Sequence, residues 1–67
     1  MNTTDKELDK MLTVTDIRNH LGISRKKAYQ LVSLDGFPKL TIGRGYFIPQ
    51  KEYEKWIKEN LKHKILL

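Results

Sequence analysis

No cysteine occurs in this chain. Disulfides and thiolate metal ligands are therefore excluded as braces for the fold. A zinc ion would have to be held by His20, His63 and carboxylates, and no zinc-like spacing links the two histidines. We expect neither a metal nor a cofactor. No apolar run approaches the ~18 residues of a membrane span. The N-terminus, MNTTDKELDK, lacks the basic start and apolar stretch of a signal peptide. These absences lead to the expectation of a cytoplasmic protein. Internal repeats and low-complexity tracts are also missing. So are a Gly-rich loop that would cradle phosphate ahead of a helix and any Ser, His and Asp arrangement suited to nucleophilic catalysis. Gly43-Arg44-Gly45 is too short for the former, and Asp16 is accounted for as a helix cap. With 67 residues, there is one thin core and little room for a deep catalytic pocket, because a domain of this size buries only about 60% of its unfolded surface. The chain is not expected to be an enzyme.

Acidic side chains are in short supply as well. Thirteen Lys and Arg face eight Asp and Glu, a formal net charge of +5. That balance suits a polyanionic partner, nucleic acid above all. The excess is localised. Residues 13–48 hold six bases (Arg18, Arg25, Lys26, Lys27, Lys39, Arg44) against two acids (Asp16, Asp35), a net of +4.

Residues 1–11 are polar and charged without a sustained apolar period, and read as a flexible arm ahead of a domain spanning 12–67. Thr13-Val14-Thr15-Asp16 fits a capping box in its acidic form. Val14, Ile17 and Leu21 then mark one face of a first helix, which Gly22 stops by adopting the left-handed conformation. Ser24 is a good N-cap for a second helix over 24–34, with Ala28, Leu31 and Val32 on its buried side. Leu21 and Ile23 are expected to pin the crossing. Two short helices joined by about three residues around a glycine form the helix-turn-helix pattern.

Phe37-Pro38 forces an extended exit. Lys39–Ile42 and Tyr46–Ile48 flank Gly43-Arg44-Gly45 as a hairpin over 39–48, with both glycines expected at positive φ and Arg44 at the tip. Pro49 suits the first turn of a third helix. Tyr53, Trp56, Ile57, Asn60 and Leu61 share one face of it, with Trp56 read as core and Leu61 and Ile65 extending the stripe. The fold class is mainly α with a small β-hairpin: three helices and a two-stranded wing.

With Ala28, Leu31 and Val32 inside, the second helix presents Arg25, Lys26, Tyr29, Gln30 and Ser33 outward. Long polar side chains on such a helix reach base edges in a major groove about 12 Å wide. Arg25, Lys26 and Lys27 crowd its first turn beside Ser24, against a dipole that prefers acids there. Phosphate would relieve the conflict; a merely solvated basic face is the plain alternative. Tyr29 either contacts phosphate or covers the core edge. Arg44 is either a soluble turn residue or a wing tip entering the minor groove, with Lys39 and the Tyr46 hydroxyl reaching flanking phosphates. The C-terminal Lys62-His63-Lys64-Ile65-Leu66-Leu67 either binds a partner or folds onto the chain's own core.

The ordered set Leu12-Thr13-Val14, Leu21-Gly22-Ile23-Ser24-Arg25, Ala28-Tyr29, Phe37-Pro38, Ile42-Gly43-Arg44, Tyr46, Ile48-Pro49 and Trp56-Ile57 resembles the excisionase-type helix-turn-helix family. That family is related to the DNA-binding domains of mercury-resistance-type regulators, and the resemblance covers about residues 12–61. It implies a winged helix-turn-helix that reads the major groove with the second helix and the adjacent minor groove with the wing. It places recognition on Arg25, Lys26, Tyr29 and Gln30, and the wing contact on Arg44. Members serve as recombination directionality factors that bind repeated sites, bend DNA and help a tyrosine integrase excise a mobile element. Others are small transcriptional regulators of phages and integrative elements. Arg18 stands where the family usually has a small residue, so it either opens the helix crossing or adds a phosphate contact. His20 replaces a commonly apolar position. The resulting expectation is a free monomer that binds double-stranded DNA with neighbouring copies and an integrase. A regulator with the same contacts is one alternative, and a protein-binding adaptor with no salt-dependent DNA affinity is another.

Overall fold

A computed structural model describes residues 8–67, and residues 1–7 of the expected arm lie outside it. Leu8 is exposed in a bend. The arm ends earlier than its polarity implied. Met11–Leu12 form a short strand, β1, and the carbonyl of Lys10 accepts the Gln50 amide at 2.9 Å.

Helix α1 spans Val14–Leu21. Thr13, in extended conformation, caps it with both halves of the capping box. Its Oγ1 accepts the Asp16 amide at 3.1 Å, and Asp16 Oδ2 accepts the Thr13 amide at 2.9 Å. Gly22 ends the helix with φ 67° and ψ 34°. A Cβ at that position would meet nothing within 4 Å, so the demand for glycine there comes from the backbone angle alone. The amides of Gly22 and Ile23 both donate to the Arg18 carbonyl, at 2.9 and 3.2 Å, which closes the turn into the next helix. Leu21 remains exposed; Ile23 alone of the expected pair packs on the core.

Helix α2 spans Arg25–Val32, with Ser24 Oγ accepting the Lys27 amide at 3.1 Å. It stops two residues before Leu34. Ser33 turns its hydroxyl back onto the Tyr29 carbonyl at 2.7 Å, while the Leu34 amide tightens onto Leu31. Serine that bonds backward in this way competes with helix continuation.

Strand β2 (Leu40–Ile42) and strand β3 (Gly45–Pro49) pair antiparallel, with Leu40 opposite Phe47, Thr41 opposite Tyr46 and Ile42 opposite Gly45. The two-residue turn has φ 58° at Gly43 and a negative φ at Arg44, the pattern of a type II′ hairpin with glycine first. The expectation of positive φ at both glycines is corrected at Gly45. A Cβ there would approach the Phe47 ring at 3.2 Å, so its small size answers a close approach. β1 joins on the other side of β3, with Leu12 opposite Ile48, to give the order β1-β3-β2 among the described residues. The wing is therefore the open end of a three-stranded sheet.

Helix α3 spans Gln50–Glu59. Pro49 is its N-cap and the last residue of β3, so the helix starts one place later than expected. Proline brings no side-chain cap, and the carbonyl of Lys10, just ahead of β1, supplies the acceptor for the Gln50 amide. Asn60 ends the helix, its side-chain amide folding back on the Trp56 carbonyl at 2.8 Å. Leu61 therefore falls outside the helix and is exposed, contrary to the extended stripe.

Val14, Ile17, Ala28, Leu31, Val32, Phe37, Ile48 and Tyr53 make the core. Trp56 packs at its edge, half-buried, with its ring 4.8 Å from that of Phe37. Tyr53 is the buried aromatic of α3, and its hydroxyl lies 2.8 Å from His20 Nδ1, joining α3 to α1. Burial pushes the Tyr53 phenol up from 10.0 to about 12. Folding thus favours the protonated phenol. Its contribution to stability is full below about pH 10 and falls as pH rises towards 12. Urea unfolding followed by Trp56 fluorescence should show an alkaline loss that Tyr53→Phe lacks. At neutral pH the same variant should lose about 1 kcal/mol with the hydrogen bond to His20. Parallel pH profiles for the two proteins would place the alkaline loss elsewhere.

Candidate nucleic-acid interface

The outward surface of α2 follows from its buried one. Ala28, Leu31 and Val32 are in the core, and residues advance by about 100° around a helix. Arg25, Lys26, Lys27, Tyr29, Gln30 and Ser33 are all exposed. Ser24 is exposed as well, but its Oγ is committed as the cap acceptor for Lys27. Ser33 is likewise engaged with the Tyr29 carbonyl. These two position the helix more than they reach outward.

The three helices provide an internal comparison of charge. α1 carries Asp16 and α3 carries Glu52 in the first turn, as the dipole prefers. The first turn of α2 contains no acid and three cations. Among the described residues none of Arg25, Lys26 and Lys27 is paired with a carboxylate; the recorded ion pair joins Lys51 to Asp9 at 3.7 Å. Four backbone amides at a helix start need acceptors, and here the Ser24 side chain meets only one of them. An anion brought to this end would meet free amides and three cations together.

Arg44 is exposed at the turn of the wing. Tyr46, on β3 behind it, is half-buried and its ring packs on the core. Leu40, Ile42 and Phe47 are exposed along the hairpin. Lys39 differs from the other cations: it is half-buried, and its ammonium donates to the Leu34 carbonyl at 3.0 Å. This bond ties the exit of α2 to the foot of the wing. Arg18 is exposed on α1, with its guanidinium 3.4 Å from Asn19 Oδ1 and its charge in solvent.

The sites named from sequence thus separate into three kinds. Arg25, Lys26, Lys27, Tyr29 and Gln30 form one exposed face, and Arg44 forms an exposed tip. Ser24, Ser33 and Lys39 hold hydrogen bonds that shape the elements carrying that face and tip. Arg18 and Tyr46 lie on neighbouring elements, the first in solvent and the second half-covered. The His20–Tyr53 bond was missed in the sequence, since no local pattern links positions 33 apart.

Among the described residues no three His, Asp or Glu side chains are brought together in a way that would hold a metal ion. No helix there is long and apolar enough to cross a membrane. Residues 11–61 match a family model described as a helix-turn-helix domain. The chain matches no curated protein and no solved structure.

The different roles of Arg44 and Lys39 are open to measurement. Arg44→Ala should leave the melting temperature almost unchanged, within about 0.5 kcal/mol, as for an exposed turn side chain. Lys39→Met should cost about 1 kcal/mol through the bond to Leu34, lowering Tm by about 4–8 °C in a domain of this size. Equal melting shifts would show that this division between tip and strut is wrong.

Proposed function

The chain belongs to the helix-turn-helix domain family, which implies binding to double-stranded DNA, and from that premise we propose that it is a non-enzymatic DNA-binding protein of the excisionase type. In this reading α2 enters the major groove with Arg25, Lys26, Tyr29 and Gln30 toward the base edges. Lys27 and Arg18 neutralise flanking phosphates, and Arg44 reaches the adjacent minor groove from the wing. The observation that carries the proposal is the first turn of α2. Three exposed cations stand there without an acid, whereas α1 and α3 each carry an acid in the first turn, Asp16 and Glu52, the latter beside a single cation, Lys51.

Size supports the cooperative part of the reading. A single module of this kind buries roughly 600–1,000 Å² of protein surface on DNA, too little for strong, selective binding alone. Repeated sites occupied by neighbouring copies, bent DNA and contact with a tyrosine integrase would supply the rest. The motif set resembles a family that holds both excisionases and small regulators, and the behaviour on tandem sites separates the two uses.

Duplexes selected from a random-sequence pool provide the substrate for the test. With about five or six phosphates neutralised, log K against log[salt] should slope by about −5. A flat line would favour the adaptor reading. Arg25→Ala should cost about 1–3 kcal/mol on the selected duplex if the guanidinium reads a base. An equal loss on unrelated DNA would reduce Arg25 to a phosphate contact. On tandem copies of the selected site, cooperative filling and a bend visible by gel mobility are expected. Independent, unbent binding would favour the regulator.

A further inference from the structure

Residues 62–67 are left unused by this reading, yet Leu66 and Leu67 border the surface that the reading depends on. After α3 the chain turns at Asn60, whose carbonyl accepts the His63 amide at 3.1 Å. It then returns so that Leu66 and Leu67 line one shallow groove with Tyr29, Gln30, Ser33 and Leu34. The core residues of α2 are Ala28, Leu31 and Val32. Tyr29, Gln30 and Ser33 fall on the opposite side, so the tail stands on the outward face of the helix and not on the core. Leu66 and Leu67 are 76% and 53% exposed. They therefore bury little apolar surface there, and the contact is one that a competing ligand can displace.

An α-helix with its side chains is about 10–12 Å across, and the major groove is about 12 Å wide. A helix seated there leaves no room for a second chain segment beside Tyr29 and Gln30. Arg25, Lys26 and Lys27, at the other end of α2, form no part of the tail groove. We propose that in the free protein Leu66 and Leu67 stand over the Tyr29–Gln30–Ser33 end of the recognition face and compete with DNA for it. The cationic end remains open throughout. Electrostatic attraction to any duplex proceeds with the tail in place, whereas base contact by Tyr29 and Gln30 requires its release. The inference rests on the DNA-binding reading of α2. Affinity for a preferred site is then reduced by the fraction of molecules whose tail is open.

The test keeps every cation in place. Leu66→Ser combined with Leu67→Ser loosens the tail without changing charge, and a chain ending at Lys64 removes the leucines while keeping Lys62 and Lys64. Fluorescence anisotropy would compare both with the full chain on the selected duplex and on an unrelated one. We expect about threefold to tenfold tighter binding to the selected duplex, consistent with a mostly closed tail, and little change on the unrelated one. Without DNA, the amide resonances of Tyr29, Gln30 and Ser33 should shift in both variants while those of the core stay in place. If the full chain binds but the folded variants bind no tighter, the tail is no competitor and the DNA-binding reading stands. Weaker binding by the variants would overturn the proposal by making the tail part of the DNA interface. If no form binds duplex with a salt dependence, the reading of α2 falls and this proposal falls with it.

Discussion

Burial of one narrow stripe of α2 is the constraint on which everything else depends. Ala28 and Val32 are fully covered and Leu31 nearly so, in a core made of only eight side chains among the described residues. A helix has one orientation that buries those three together. That orientation places Arg25, Lys26, Tyr29 and Gln30 outward without any further interaction to hold them there. The thinness of the core also explains the number of small locks around it. The Thr13–Asp16 box, the Ser24 cap, the Lys39–Leu34 bond and the Tyr53–His20 bond each hold an element that has few buried residues of its own.

The same helix is the one that departs from good electrostatic practice. Cations in a first turn cost typically 0.3–1 kcal/mol each at low ionic strength, against a total stability of about 5–15 kcal/mol for a native domain. α1 has Asp16 in its first turn, and in α3 the one first-turn cation, Lys51, is offset by Glu52 and by Asp9 at 3.7 Å. The persistence of that cost in α2 is intelligible if the stabilising anion is external, since a phosphate satisfies both the cations and the remaining free amides. On the proposed reading, stability and DNA binding pull in opposite directions at this one turn.

Position is controlled by polar bonds between elements. Lys39, a cation in sequence like any other, is spent on the carbonyl of Leu34 and so couples the end of α2 to the foot of the wing. That leaves Arg44 as the cation of the hairpin that faces solvent. The tail adds a further layer, because Leu66 and Leu67 line one groove with Tyr29 and Gln30, two of the residues proposed to read DNA.

What could be read from the amino-acid order was local. The capping box at Thr13, the left-handed stop at Gly22, the Ser24 cap, the buried stripe of α2 and the glycine-led hairpin turn each depend on residues within four positions of one another. Backbone sterics and helical periodicity act at that range. β1 escaped notice because two residues carry no periodicity, and only pairing with β3, far along the chain, makes them a strand. The exposure of Leu21 and Leu61 and the early ends of α2 and α3 were decided by where partners and side-chain bonds happened to lie. The linking of His20 to Tyr53, the diversion of Lys39 from solvent, and the placement of Leu66 and Leu67 beside the outward face of α2 belong to the tertiary structure alone. Each joins groups that lie on separate elements or beyond the reach of a helical repeat, and no short-range rule of the chain brings such groups together.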